Sequence, residues 1–347
     1  MSKNGVSVFK VAATYIGTVV GAGFGTGQEI FQFFSRFGLP GLAGIAVATF
    51  LFVWLGYLIM EQGCKLRASS HYELIRHLCG PKISPLLDLI ITFFLFGALS
   101  VMFAGTGALF AQQLQLPSIF GSAVMAFFTA LTVLAGFSGV ISSISFMVPL
   151  LLAAVVATCT FGMLQSPPDL LAAAPAKSGL LQSWLLAAVL YVSYNLILSL
   201  AVLGPLGAEA GRQETLKKGA LWGGLGLGIS AALIFLAMAG YLPEIAGMEL
   251  PMVYIAVQIS FFFQLIYTLV LAVEVYTTAV GCLYGFVARV AAKSSPRIKT
   301  LVILGTTVAA FGASRIGFAN LVSFLYPVTG LCGLVFLFCL LSAAMGS

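Results

Sequence analysis

The chain alternates long apolar runs with short clusters of charged, glycine and proline residues, and ten such runs can be bounded. They cover residues 6–36, 40–63, 85–112, 118–136, 139–163, 183–207, 219–240, 253–288, 299–313 and 318–345. Most reach the roughly 20 residues that cross a bilayer as α-helix, and their apolar positions are continuous. The strands of a membrane barrel would alternate apolar and polar positions instead. The pattern predicts an all-α integral membrane protein of about ten transmembrane helices. In the connection 64–84 it predicts a short amphipathic helix, with Ser70 and Glu73 as a capping box and Gly80–Pro81 as its end.

The spacing of the runs repeats. A long connection follows span 2 and another, 241–252, follows span 7. Tight hairpins join spans 4 and 5 near Gly136–Gly139 and spans 9 and 10 near Gly312–Gly317. Spans 1 and 6 therefore open two five-helix units, approximately 6–163 and 183–345, offset by about 175 residues. An odd number of spans forces the second unit into the membrane upside down. Such 5+5 inverted repeats are the architecture of many secondary transporters, with the site at the repeat interface near the midplane. The alternative is chance agreement of loop lengths. No compositional linker divides residues 1–347, which read as a single transmembrane transporter domain.

Composition agrees with a lipid environment. Of 347 residues 61% are hydrophobic and 7% charged, too few charges to keep a soluble surface hydrated. The 16 Lys and Arg are unevenly placed. With the N-terminus inside, Lys3, Lys10, Lys65, Arg67, Arg76, Lys82, Arg212, Lys217, Lys218, Arg289, Lys293, Arg297 and Lys299 lie on the inner side, and only Arg36, Lys177 and Arg315 lie outside. The positive-inside rule then puts both termini in the cytoplasm. The net charge of +6 faces the anionic inner leaflet and calls for no nucleic acid. No cleavable signal sequence is visible in the first run. The six cysteines form no disulfide framework: four lie in spans, and Cys64 and Cys79 fall in an inner loop. His71, His77 and Cys79 match no common zinc spacing and read as part of a plain surface helix, with a metal site as the alternative.

Span 1 breaks the pattern. It reads Gly17-Thr18-Val19-Val20-Gly21-Ala22-Gly23-Phe24-Gly25-Thr26-Gly27-Gln28-Glu29, with glycine at 21, 23, 25 and 27. Each glycine costs a helix about 1 kcal/mol relative to alanine. Close helix packing through Gly17, Gly21 and Gly25 is one explanation. Period-two spacing fits a packing face poorly, since residues two apart point about 200° apart. An unwound stretch uses it better, freeing N–H groups toward an anion and carbonyls toward a cation.

Gly17 to Gly23 resembles the broken first helix of sodium-coupled amino-acid transporters with the leucine-transporter-like fold. Thr26-Gly27-Gln28-Glu29-Ile30-Phe31-Gln32-Phe33-Phe34 resembles the YkvI-type bacterial membrane proteins of that superfamily. The likeness covers most of the chain in topology but only spans 1 and 8 in motif. It implies a bacterial cytoplasmic membrane, with helices 1 and 6 broken. It implies a substrate carboxylate held by the amides of Ala22, Gly23, Phe24 and Gly25, beside Gly21, and a sodium ion on the carbonyls of Gly17 and Val20. In span 8, Thr277 and Thr278 resemble the hydroxyl pair that completes that sodium site, and the carbonyl of Glu274 would be a third. Thr hydroxyls in membrane helices also bond their own preceding carbonyls, which is the alternative. Phe24 stands where some relatives place the asparagine of a second sodium site, so that site is not expected. Residues 139–163 carry no charge, so the lysine of some proton-driven relatives is absent.

Glu274 lies deep in span 8, where an ionisable group marks a pathway, a proton relay or a counter-ion. A protonated Glu bonded to a neighbouring helix is the alternative. Glu29, beside the outer half of span 1, is a second coupling or gate candidate, or an interfacial partner of Arg36. In span 6, Ser193, Tyr194 and Asn195 form a polar cluster read as substrate contacts or as helix–helix bonds, and no glycine lies there to break the helix. Span 3 carries a small-residue face (Gly97, Ser100, Ala104, Gly105, Gly107) suited to packing, and Tyr241 to Pro251 reads as an outer lid.

These readings converge on an ion-coupled secondary transporter of a small carboxylate-bearing substrate, an amino acid or close relative, working by alternating access with sodium or proton coupling. Gly21 stands where relatives carrying amines without a carboxylate place an Asp, so the substrate brings its own carboxylate. The alternative is a channel or a non-transporting sensor on the same scaffold. No metal-ligand set, nucleophile motif or phosphate loop points to an enzyme or a cofactor other than the coupling ion.

Overall fold

A backbone in hydrocarbon has no water to bond, so it closes its hydrogen bonds on itself. The computed structural model describes residues 6–68, 71–135, 140–171, 181–291 and 294–345, and among them helices occur and no strand. Span 1 is divided into α1 (Val8–Val19), α2 (Ala22–Gly25) and α3 (Gln28–Phe33), followed by a 3-10 turn at Ser35–Phe37. The first half continues with α4 (Leu39–Leu66), α5 (His71–Leu114), α6 (Ser118–Ala135) and α7 (Val140–Gln165). The second half holds α8 (Trp184–Ala210), α9 (Gln213–Ala239), the short α10 (Leu242–Ile245) and α11 (Pro251–Ile259). It ends with α12 (Phe261–Val290), α13 (Pro296–Ser314) and α14 (Phe318–Met345). Seven helices, α4, α5, α6, α8, α9, α12 and α14, are long and apolar enough to cross a membrane. The divided span 1, α7 and α13 bring the bundle to the expected ten.

Local chemistry sets the helix ends. Ser7, Ser183 and Ser260 each accept a backbone N–H of the first turn they precede, those of Lys10, Leu186 and Phe263. Pro296 starts α13, and Gly211, with φ 65°, ends α8. Gly80 (φ 74°, ψ 173°) interrupts α5 where the Gly80–Pro81 stop was expected. Ser70 of the proposed capping box and the Gly136–Gly139 hairpin lie outside the described residues.

Two expectations need correction. Helix 6 is not broken: α8 runs continuously from Trp184 to Ala210. Without a mid-span glycine, its polar side chains bond the helix itself, Asn195 Nδ2 to the Tyr191 carbonyl at 2.9 Å and Ser199 Oγ to the Asn195 carbonyl at 2.7 Å. The run 253–288 is not one helix either. Ser260 adopts extended backbone (φ −173°, ψ 162°), caps α12, and leaves α11 as a separate helix belonging to the 241–259 segment.

Packing sorts the spans into two groups. α1, α4, α8 and α9 pack on one another, as do α5, α6, α12 and α13. α7 bridges α9 to α12, and α14 bridges α8 to α5. In span numbers these are 1, 2, 6, 7 against 3, 4, 8, 9, with 5 and 10 as ties. A shift of five spans maps each group onto itself, which is the signature of the repeat. Around the outside, Phe50, Phe127, Trp222 and Phe338 are 61–74% exposed, a ring of large apolar side chains that only lipid would cover.

Glycine brings the first group close. A Cβ on Gly63 of α4 would lie 2.2 Å from the Gly204 carbonyl of α8, and one on Gly207 would lie 2.0 Å from the Met60 carbonyl. The two helices thus share a reciprocal small-residue seam. At one end of the bundle Arg289 of α12 bonds both Asp88 and His71 of α5. Burial and, next, the Arg289 guanidinium hold the His71 imidazole below its ordinary range. Cys79 faces Cys339 instead, so His71 and Cys79 do not converge on one point.

Because the α4–α8 contact is backbone against backbone, Gly207→Val must push the helices apart at a cost of about 1–3 kcal/mol. The expected result is a melting temperature several degrees lower in detergent, whereas Gly305→Val, with nothing within 4 Å of its Cβ, leaves it unchanged.

Candidate functional site

The glycine run of span 1 does not unwind throughout, as its composition suggested. It folds as a single helical turn between two breaks. The first falls at Val20–Gly21, where Val20 (φ −71°, ψ 116°) and Gly21 (φ −135°, ψ −171°) are extended. The second falls at Gly27, whose φ of 79° is a left-handed conformation that favours glycine. Between them Gly25 N–H bonds the Gly21 carbonyl at 2.9 Å and Thr26 N–H the Ala22 carbonyl at 2.8 Å. Among the described residues the N–H groups of Gly21, Ala22, Gly23 and Phe24 take no backbone acceptor, and the carbonyls of Gly17 to Val20 take no backbone donor. Free donors and acceptors therefore flank the first break, with Val19, Val20 and Ala22 to Phe24 buried and Gly17, Thr18 and Gly21 half-buried.

Side chains fix the second break. Thr26 Oγ1 donates to the Gly23 carbonyl at 2.9 Å and accepts the Gln28 N–H at 3.3 Å. The Thr26 carbonyl accepts the Met252 N–H of α11 at 3.0 Å, so the 241–259 segment clasps the bend. Tyr267 of α12 donates its hydroxyl to the Gly25 carbonyl at 2.5 Å. A Cβ on Gly25 would touch Leu151 of α7 and Leu271 of α12 at 3.2–3.3 Å, whereas one on Gly21 would meet nothing within 4 Å.

The sharp turn at Gly27 swings α3 back, and Glu29 returns to the break. Its carboxyl points inward: Oε2 accepts the Tyr194 hydroxyl, and Oε1 lies where a Cβ on Gly23 would come within 2.1 Å of it. Glu29 is 4% exposed. Tyr194 belongs to an aromatic cluster with Phe33, Tyr191 and Tyr326, in which the Tyr194 and Tyr326 centroids are 4.9 Å apart.

The structure thus brings together Gly21 to Gly25, Glu29 and Tyr194. It turns the other members of the span 6 cluster elsewhere. Ser193 donates to the Gly330 carbonyl of α14 at 2.7 Å, and Asn195 bonds its own helix. On α12, Thr277 is buried and donates to the Glu274 carbonyl at 3.0 Å, while Thr278 is half-buried. That carbonyl already serves the i→i+4 bond of a regular helix, so both its lone pairs are engaged in this conformation. The Glu274 side chain is buried, and its Oε2 has no hydrogen-bond partner among the described residues. Tyr326 and Met252 were not singled out from sequence. Neither departs from the apolar pattern of its segment, and only the fold carries them to span 1.

This arrangement, a divided first helix clasped between the two helix groups of a five-plus-five bundle, defines a membrane protein of the leucine-transporter-like fold. Solved structures agree: the inward-facing conformation of Mhp1 superposes with a TM-score of 0.65 over 96% of this chain and 76% of that one, at 13% identity. MhsT in complex with L-phenylalanine gives 0.62 over 97% and 90%, at 15% identity. A Na+-coupled sialic acid symporter gives 0.60 over 90% and 72%, at 11% identity. No family model matches the sequence. The chain is 34% identical over 344 residues, 98% of its length and 97% of the relative's, to the "Uncharacterized membrane protein YkvI" of Bacillus subtilis, and it belongs to that family. A second Bacillus subtilis protein, YyaD, is 28% identical over 336 residues, 94% of each chain.

The two kinds of glycine separate experimentally. Gly27→Ala forces a left-handed alanine, costing about 1–2 kcal/mol, and drives its Cβ to 2.7 Å from Met252. It is expected to lower the melting temperature by a few degrees. Gly21→Ala, in extended backbone with open space around it, leaves that temperature unchanged.

Proposed function

We propose that this protein is an ion-coupled secondary transporter of a small carboxylate-bearing substrate, an amino acid or close relative, that works by alternating access. The observation that carries the reading is the first break of span 1. Among the described residues the amides of Gly21 to Phe24 and the carbonyls of Gly17 to Val20 take no backbone partner, in a largely buried segment with open space at Gly21. Peptide groups stay unpaired in a buried segment only at a cost, and a ligand is what offsets it. Amides present positive partial charge and suit a carboxylate, and carbonyls suit a cation.

A sodium ion fits the carbonyl side. The Tyr267–Gly25 hydrogen bond sets the register between spans 1 and 8. Counting back from Gly25 to Gly17 covers roughly 15 Å, with about 1.5 Å per helical residue and about 3.3 Å for each residue of the extended break, and forward from Tyr267 to Thr277 along the helix covers about 15 Å. If the two helices run antiparallel, as the inverted topology requires, the span 1 carbonyls and the Thr277–Thr278 hydroxyls reach similar depths. Glu274 then joins the ion set only if its carbonyl gives up the Thr277 hydroxyl. The two helix groups supply the moving bodies, and the clasp of α11 on Thr26 acts as the outer lid. The membrane is the bacterial cytoplasmic membrane, with both termini inside, as the Lys and Arg distribution requires.

Uptake of radiolabelled amino acids into proteoliposomes tests the reading. Wild-type protein should accumulate substrate against its gradient, and Gly21→Leu should abolish uptake while folding normally. Purely downhill flux would make the chain a channel, and wild-type-like uptake by Gly21→Leu would remove the break from the mechanism. Replacing sodium by choline should weaken substrate binding about tenfold or more, a loss of about 1.4 kcal/mol. Thr278→Val should bind equally weakly in both salts.

A further inference from the structure

Glu29 has no role in the ion site or the amide site described above, yet it lies against both the break and α8. Its carboxyl is buried and receives one side-chain donor, the Tyr194 hydroxyl. The elements packed on α3 bring no compensating charge to it among the described residues. α2 contributes no ionisable group, α8 contributes Tyr191 and Tyr194, and α14 contributes Tyr326. α9 carries Glu214, Lys217 and Lys218 in its first two turns and no ionisable side chain from Gly219 to Ala239. Arg36 of the adjoining 3-10 turn stacks over the Phe37 ring at 5.4 Å. Among the described residues no Lys, Arg or His forms an ion pair with Glu29. A bare carboxylate here would be a buried, unpaired charge in the membrane core, which costs several kcal/mol.

We propose that the Glu29 carboxyl is neutralised by a proton when the site is empty and closed and by the ammonium group of the substrate when it is loaded, so that substrate is exchanged for a proton. The proposal rests on the transport reading and deepens it. A zwitterion holding its carboxylate on the amides of the break carries its ammonium group a few ångströms away. Glu29 Oε1 sits against Gly23 of that same turn. The Tyr191, Tyr194 and Tyr326 rings beside it offer π faces that favour a cation. Protons and charges balance. The Glu29 O–H bond breaks as the site opens to water, the proton leaves to solvent, and the carboxylate pairs with the incoming ammonium. On the return stroke the empty site closes only after Glu29 has taken a proton from the other side. Both closed forms are then neutral at this position, and the open, unoccupied carboxylate does not cross.

Infrared difference spectra of the ligand-free protein in lipid at neutral pH supply the first readout. Wild type should show the carbonyl stretch of a protonated carboxyl that Glu29→Gln lacks. Tyr194→Phe, which keeps the carboxyl and removes its hydrogen bond, should shift that band to higher frequency, and this variant decides the assignment if Glu29→Gln folds poorly. The second readout is proton release in weakly buffered proteoliposomes offered the common amino acids and their decarboxylated amines as probes. Each probe taken up by wild type should release about one proton, and Glu29→Gln should release none. Absence of the wild-type band, or uptake without proton release, overturns the exchange and leaves the transport reading standing. Uptake of none of the probes overturns both together.

Discussion

A peptide group in hydrocarbon has nowhere to place its hydrogen bond except within the chain, and this constraint organises the molecule. Among the described residues α4, α8, α9, α12 and α14 run as continuous helices. Among the described residues the first span leaves amides and carbonyls without backbone partners across Val20–Gly21, and the structure holds the turn that follows this gap. The hold is specific. Tyr267 holds the Gly25 carbonyl, Thr26 and Met252 hold the second bend, and Leu151 and Leu271 wall the turn between them. What stays open is the first break itself.

The same constraint explains how two rigid groups coexist with a mobile function. The group of spans 1, 2, 6 and 7 is seamed by glycines whose missing Cβ atoms let carbonyls come into direct contact, as at Gly63 and Gly207. Small-residue packing of this kind depends on close fit, so a helix group moves as a body. Spans 5 and 10 touch both groups and carry prolines at 149 and 327, the natural places for bending between them. The broken helix lies in one group and is gripped by a tyrosine of the other, so both groups hold the segment that carries the break.

Two carboxyls lie in the protein interior, and their surroundings differ. Glu29 has a tyrosine donor and an aromatic shell, and it adjoins the amides of the break. Glu274 has a buried oxygen without a partner among the described residues and sits on the hydroxyl-bearing stretch of α12. Buried polar atoms are held because something uses them. Span 1 thus carries freed backbone groups beside the Glu29 carboxyl, and Glu274 is a second buried carboxyl, on α12.

Much of this was legible along the chain. Continuous apolar runs of membrane length specify helices, since nothing else satisfies the backbone there. Odd-numbered units with matching loops specify an inverted repeat. Glycine at 21, 23, 25 and 27 weakened the helix of span 1, but Gly223, Gly224, Gly226 and Gly228 lie within the unbroken α9, so glycine density alone did not decide the break. Which residues break and which close a turn was a tertiary decision: Ala22 to Gly25 coil because Tyr267, Leu151 and Leu271 hold them, and Gly27 bends because Met252 clasps Thr26. The continuity of α8 was likewise decided by bonds Asn195 and Ser199 make to their own helix, which a list of polar residues does not distinguish from ligand contacts. Glu29 and Tyr194 lie 165 positions apart. Sequence identified each as out of place in lipid, and only the fold, by turning α3 back at Gly27, made them partners.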